Sequence, residues 1–280
     1  MTVTMSRTEP EGAAATGSPA AVAPADMRRP FPGWAITAAS VVALLAIWEV
    51  FGRQINPLFA SYPSAIARAA VTTTADGRLP EAMAASLKPM FTGYLLAVVV
   101  AVPVGLLLGR YRVFRSGVGI YVTAGYAMPM VALIPLFILW FGLGYSVKVA
   151  VVFVMSIFPI IINTAAGARA VPKPLIDVGR SFMASEWELM RKIVVPSTVP
   201  YIMTGLRLGV GRAVIGIVVA EFFTALGGLG GMIVDAGTRF DTATLFVPVL
   251  VLMLLGVVLT AAIEWLEHRA APWATAGSDD

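Results

Sequence analysis

One acidic residue and one short acidic and aromatic cluster have types and spacings that demand a chemical explanation. Glu221 is the sole charge among the 22 residues between Arg212 and Asp235. If Arg212 marks a membrane boundary, the nine residues that follow it, at about 1.5 Å each, place Glu221 about 13 Å deeper, near the middle of a bilayer. A charge at that depth costs roughly 2.5–3.5 kcal/mol, so it must face water or another protein group. Two readings follow: a pathway or gate residue, or a neutral or paired group that locks two helices. The cluster is Ser185-Glu186-Trp187-Glu188. It has the form of a capping box, with Ser185 as the cap and Glu188 three residues on. A short helix is expected after it, with Arg191 and Lys192 near its end and Pro196 as a stop. Trp187, Met190 and Val194 fall at i, i+3 and i+7, which gives that helix an apolar face. Such a face on a short polar-flanked helix docks a partner protein, lies flat on a membrane, or tucks under a helical bundle.

Other chemistries lack their residues. There is no Cys, which removes disulfides and thiolate catalysis, and a lone His268 leaves little for metal binding or general-base work. No Gly-Lys dipeptide occurs, so a phosphate-cradling loop of the Gly-x4-Gly-Lys-Ser/Thr type is absent. Gly227-Gly228-Leu229-Gly230-Gly231 follows an apolar helix and not a strand, so it reads as a flexible turn or short re-entrant segment. The formal charge of +4 comes without a basic patch interleaved with aromatics, and nucleic acid is not an expected partner.

The elements that position these residues follow from composition. Hydrophobic residues make up 58% of the chain and charged residues 13%, against about 25% charged in an ordinary soluble domain. Lipid is therefore the expected solvent. Uncharged gaps run for 19 residues from Arg29 to Glu49, 21 from Lys88 to Arg110, 20 from Lys148 to Arg169 and 22 from Asp241 to Glu264. With the Arg212–Asp235 stretch these give five spans of about 20 residues. The gap from Arg115 to Lys148 is 32 residues and holds Pro129, Pro135, Gly142 and Gly144. It reads as one helix followed by a broken, partly irregular stretch. The expected fold is thus an all-α membrane protein of six transmembrane helices.

An even number of crossings puts both termini on one side. With the N-terminus cytoplasmic, fourteen Lys and Arg residues lie on the inner segments and six on the outer ones, the distribution that the positive-inside rule favours. Residues 1–28 are expected to form a disordered cytoplasmic tail and not a cleaved signal peptide, 29–270 the membrane domain, and 271–280 a second cytoplasmic tail. The segment from Gln54 to Lys88 is the long outer loop, with a short helix from Pro63 to Val71. The loop from Arg169 to Pro200 carries a proline-entered helix over 175–182, with Asp177 complementing its dipole from the first turn. Tyr126, Asn163, Thr123 and Ser156 are polar pathway candidates that could equally bond neighbouring helices. Met128 and Met130 flank Pro129 and form either a soft gate or ordinary packing. Gly105 and Gly109, like Gly205 and Gly209, have the small-x3-small spacing of close helix packing, within one subunit or between two.

The 169–200 loop resembles the cytoplasmic signature of the permeases of binding-protein-dependent ABC importers: Glu-Ala-Ala, three residues, Gly, nine residues, Ile, one residue, Leu-Pro. With Asp177 in the Glu position, Ile193, Val195 and Pro196 fall in register, while Val178 and Gly179 replace the two Ala and Met183 replaces the Gly. Ile134-Pro135-Leu136, Trp140 to Gly144, Gly205 to Leu208, Gly211-Arg212, Ala220-Glu221, Gly228-Leu229-Gly230 and Phe240-Asp241-Thr242 are similar to the nitrate, sulfonate and taurine branch. The resemblance implies a type I importer permease-like fold with a coupling helix between helices 4 and 5, and no catalysis of its own. It implies ATP on a separate ATPase subunit, an extracytoplasmic substrate-binding protein, a second permease copy, and a small anion as solute. Asp177, Met183, Ser185, Glu186, Trp187, Glu188, Met190, Arg191 and Pro196 then form the ATPase-coupling region. Trp187 and Met190 anchor the contact, and Glu186, Glu188 and Arg191 orient it. The competing readings are a secondary transporter or channel, which would show inverted repeats, and a membrane enzyme, which would need clustered His, Cys or paired carboxylates.

Overall fold

A chain this apolar must satisfy its backbone hydrogen bonds internally, and helices do so within one segment. In the computed structural model, residues 33–224 and 227–271 are described, and every regular element among them is helical. The expected tail 1–28, and all but Ala271 of the one at 271–280, lie outside the described residues. The chain divides into two units, Met1–Leu44 and Leu45–Asp280. Helix α1 (Gly33–Gly52) supplies all the described residues of the first unit.

In the second unit, α2 (Pro63–Ala75) is the short helix expected in the first loop, entered through Pro63. Helix α3 (Arg78–Arg110) follows a left-handed Gly77. Its 33 residues rise about 50 Å, more than the roughly 30 Å hydrocarbon core. Lys88 therefore lies inside the helix, and the loop before it is shorter than charge spacing suggested. Helix α4 (Arg112–Ala127) ends where Met128 turns extended. A 3-10 turn (Met130–Leu133) and α5 (Ile134–Phe141) complete the third crossing at a bend of 90°. The cause is the Pro129 nitrogen, which has no hydrogen to give the helix. Gly142 and Gly144, both at positive φ, carry the chain into α6 (Tyr145–Ala170). The single broken stretch expected between Arg115 and Lys148 is found there.

Helix α7 (Lys173–Ser181), α8 (Glu186–Leu189), a π turn (Met190–Val194) and α9 (Val195–Thr224) follow. The π turn corrects the reading of Pro196 as a helix stop. Val195 donates to the Met190 carbonyl, five residues back, so the register widens just before the residue that cannot donate. The helix then runs on as one candidate span from Glu186 to Thr224. Arg207 and Arg212 consequently lie within the span, and Arg212 is not its boundary. Helices α10 (Gly228–Thr238) and α11 (Thr242–Ala270) are the last described elements. Among the described residues, five helices are long and apolar enough to cross a membrane, and the bent α4–α5 pair makes a sixth.

The centre of the larger unit is α3, α6 and α9. Buried Ala97, Ala101, Ile160, Ile161 and Ala165 form its main cluster, and Met90, Val152, Ala213 and Ile217 another. The small-x3-small pairs work inside this unit. A methyl group at Gly105 would lie 2.6 Å from Thr164 Cβ on α6, and one at Gly209 would lie 2.9 Å from Ile160. Gly109 faces Ala168 and Gly205 faces Asn163 in the same way.

Candidate functional site: the coupling loop and the transmembrane charges

The loop between α6 and α9 is built by local rules. Pro172 is extended, so α7 starts at Lys173 with Pro174 in its first turn. That start is earlier than expected and moves Asp177 out of the first turn, away from the positive end of the dipole. Asp177 is exposed and helps line a hollow with Arg110, Arg115, Arg169, Lys173 and Arg180. The capping box is present: the Ser185 hydroxyl accepts from the Glu188 amide at 3.3 Å, and Glu188 accepts from the Ser185 amide at 3.0 Å.

The turn from α7 to α8 closes through Met183, whose φ is +57°. The Ala184 amide donates back to the Gly179 carbonyl at 3.1 Å. The signature glycine therefore falls where the backbone turns left-handed, and this chain accepts the cost of a side chain there. Met183→Gly should stabilise the turn by about 1 kcal/mol and slow hydrogen exchange of the Ala184 amide about fivefold. Unchanged exchange would mean the turn carries no strain.

Gly179 is tight for a different reason, since a methyl group there would lie 2.5 Å from the Leu189 side chain. Leu189 and Val194 are buried with Ile176 and Ala168. The apolar face of the short helix thus splits. Val194 seals the loop against the bundle, Met190 is half-buried, and Trp187 stands 72% exposed. Phe182 at 83% and Met183 at 93% are exposed on the same loop. Phe182, expected as the last residue of the helix over 175–182, is instead the cap after α7, and its exposure follows from that turn.

Glu186 clamps this loop, with one carboxylate oxygen 2.9 Å from Arg110 at the end of α3 and the other 3.2 Å from Arg180. Glu188 serves the capping box and pairs with Lys192 at 3.3 Å. Both acids are therefore engaged within the chain. Arg191 is exposed, and Pro196 sits half-buried in the first turn of α9.

The transmembrane candidates divide. Glu221 is wholly buried near the end of α9 remote from the coupling loop. Its carboxylate lies 3.0 Å from Lys148 Nζ, accepts from the Ser86 hydroxyl at 2.8 Å, and accepts from the Gly230 amide at 2.8 Å. Ser86 in turn accepts from the Leu229 amide at 2.8 Å. This geometry is a lock joining α3, α6, α9 and the start of α10. Gly227 and Gly228, at positive φ, let the chain turn back onto it, and Gly228 to Gly230 are buried. The glycine-rich segment is thus a seated helix start and not a flexible turn.

Asn163 donates to the Pro159 carbonyl at 2.8 Å and packs against Gly205. Thr123 bonds back within its own helix, donating to the Gly119 carbonyl at 3.1 Å, and Ser156 is buried in α6. Tyr126, Met128 and Met130 come together with Pro129 in a hollow of about 210 Å³, beside Met155, Phe158 and Arg212. Among the described residues, no group of three or more His, Cys, Asp and Glu is placed to hold a metal ion.

The described residues thus form a helical membrane protein with a broken third crossing and a capped loop packed against its bundle. Over residues 98–272 the chain matches the family described as binding-protein-dependent transport system inner membrane component, and it belongs to that family. It is 32% identical over 231 residues to a formylaminopyrimidine transport permease of Halalkalibacterium halodurans, covering 82% of this chain and 92% of that one. It is 27% identical over 241 residues to a taurine transport system permease of Escherichia coli, covering 84% and 88%. Its fold is similar to a chain of the MetNI methionine ABC transporter in an inward-facing conformation. That likeness has a TM-score of 0.63 at 18% identity and covers 70% of this chain and 98% of that one. The chain is therefore a permease subunit of an ABC importer, a multi-pass membrane protein.

Proposed function

We propose that this permease carries a small anionic solute of the nitrate, sulfonate or taurine type, delivered by a separate extracytoplasmic binding protein and driven by ATP on separate ATPase subunits. The observation that carries the reading is the exposed trio Phe182, Met183 and Trp187 on a loop held rigid by its capping box and by the Arg110–Glu186–Arg180 clamp. Apolar rings on a rigid, polar-flanked loop fit a groove on a partner protein better than a headgroup layer. Helix continuity from Glu186 to Thr224 gives that partner a lever through the membrane.

The loop end faces the cytoplasm in this reading, with both termini on that side. Setting aside Arg207, Arg212, Lys88 and Lys148 as charges at membrane depth leaves twelve basic residues on the inner segments and four on the outer ones. The bias that fixes orientation persists. Two copies pair to enclose the pathway, and Tyr126, Met128 and Met130 line it. Glu221 holds the framework around that pathway. A solute bearing an anionic group is supported by the likeness to the taurine permease, since taurine carries a sulfonate, while another relative is named for formylaminopyrimidine transport.

The test is co-purification. A tagged copy of this chain, expressed with its ATPase and an untagged second copy, should retain both through size exclusion. Recovery of the tagged chain alone would overturn the assembly.

A further inference from the structure

We propose that Arg212 is the fixed positive charge of the translocation pathway, set near the middle of the bilayer, and that it meets the anionic group of the solute. The inference rests on the permease reading above and deepens it. Arg212 stands twelve residues before the end of α9, about 18 Å along the axis, in a hydrocarbon core of roughly 30 Å. The midplane position assigned to Glu221 from charge spacing therefore belongs to Arg212.

Among the described residues Arg212 has no ion-pair partner, whereas Glu221 is taken by Lys148 and Glu267 by Arg207. A lone guanidinium at that depth is not stable against lipid and must face water or an anion. Its helix face is otherwise open. Tyr201, Leu208, Ile215 and Phe222 recur at steps of seven on it and are all exposed. A second observation points the same way. The hollow that Arg212 lines also holds Met128 and Pro129, where the helix breaks, and the first residues of the 3-10 turn that follows. Non-helical backbone at membrane depth is tolerated where it is packed in protein or lines a water-filled cavity. A free cation and an unwound segment converge on one hollow, and water with an anion satisfies both.

The absence of cysteine allows a direct test with no need to know the solute. In the assembled transporter, Met128→Cys is reacted with two membrane-impermeant thiosulfonates, one carrying a sulfonate and one a quaternary ammonium, without nucleotide and with ATP bound. The sulfonate reagent should react faster in at least one state. Adding Arg212→Gln should lower the ratio of anionic to cationic rates about tenfold or more, while Arg212→Lys should preserve it. The ratio cancels any change in the thiol's own reactivity. Should Met128→Cys not assemble, Tyr126→Cys probes the same hollow. No reaction in either state, or a ratio indifferent to Arg212→Gln, would overturn the proposal. Loss of the ATPase from the unmodified complex would instead sink the permease assembly, so the two failures are distinguishable.

Discussion

Glu221→Ala should destabilise the protein by about 3–5 kcal/mol, the cost of breaking a buried ion pair by removing one partner. Lys148 would keep a buried ammonium without its carboxylate, and the Gly230 amide and Ser86 hydroxyl would lose their acceptor. The damage should spread, because this one carboxylate joins α3, α6, α9 and α10. Glu221→Gln should be milder, since an amide oxygen still accepts from Gly230, although its charge pairing with Lys148 is lost. Pairing Glu221→Leu with Lys148→Met removes both charges and should recover much of the loss, an outcome a double-mutant cycle reads directly. Thermal stability of the detergent-purified protein gives the measurement. A midpoint for Glu221→Ala equal to the parent's would show that the lock contributes nothing, and purely additive losses would show that the pair is not coupled.

The second large effect concerns the loop. Trp187→Ala with Phe182→Ala should weaken ATPase binding by at least about 2 kcal/mol, roughly thirtyfold, because large apolar side chains at an interface centre carry most of its energy. Both side chains are exposed in this chain, so fold stability should stay within about 0.5 kcal/mol of the parent. That separation matters: an intact, well-folded permease should lose its motor. Glu186→Arg should have a related effect by another route, since it places a third cation beside Arg110 and Arg180 and releases the loop from α3. ATPase retained at parental affinity by the double variant would remove these residues from the interface.

The helices and the capping box were legible because their signals are local. Ser185 and Glu188 stand three residues apart, and their hydrogen bonds depend on nothing distant. Pro129 likewise announced the break in the third crossing. Glu221 was conspicuous as a lone charge in an apolar run, yet its partner Lys148 lies 73 residues earlier and looked like a charge flanking a span. Arg212 was misplaced for the same reason. Treating every charge as a membrane boundary hides the ones that lie inside. The π turn before Pro196 was invisible, because a widened register leaves no mark in residue type, and without it Pro196 reads as the stop of the short helix and not as part of a continuous one. Met183 was readable only as a departure from a glycine; its positive φ supplies the reason for that glycine.

Transport itself tests the central claim most directly. The chain is reconstituted into sealed vesicles, alone or with its ATPase, and taurine and nitrate are supplied on the loaded binding protein. Uptake should require the ATPase, ATP on its side of the membrane and the binding protein together, and should fall to background when any one is omitted. Equal uptake by the permease alone, without ATP, would contradict the account.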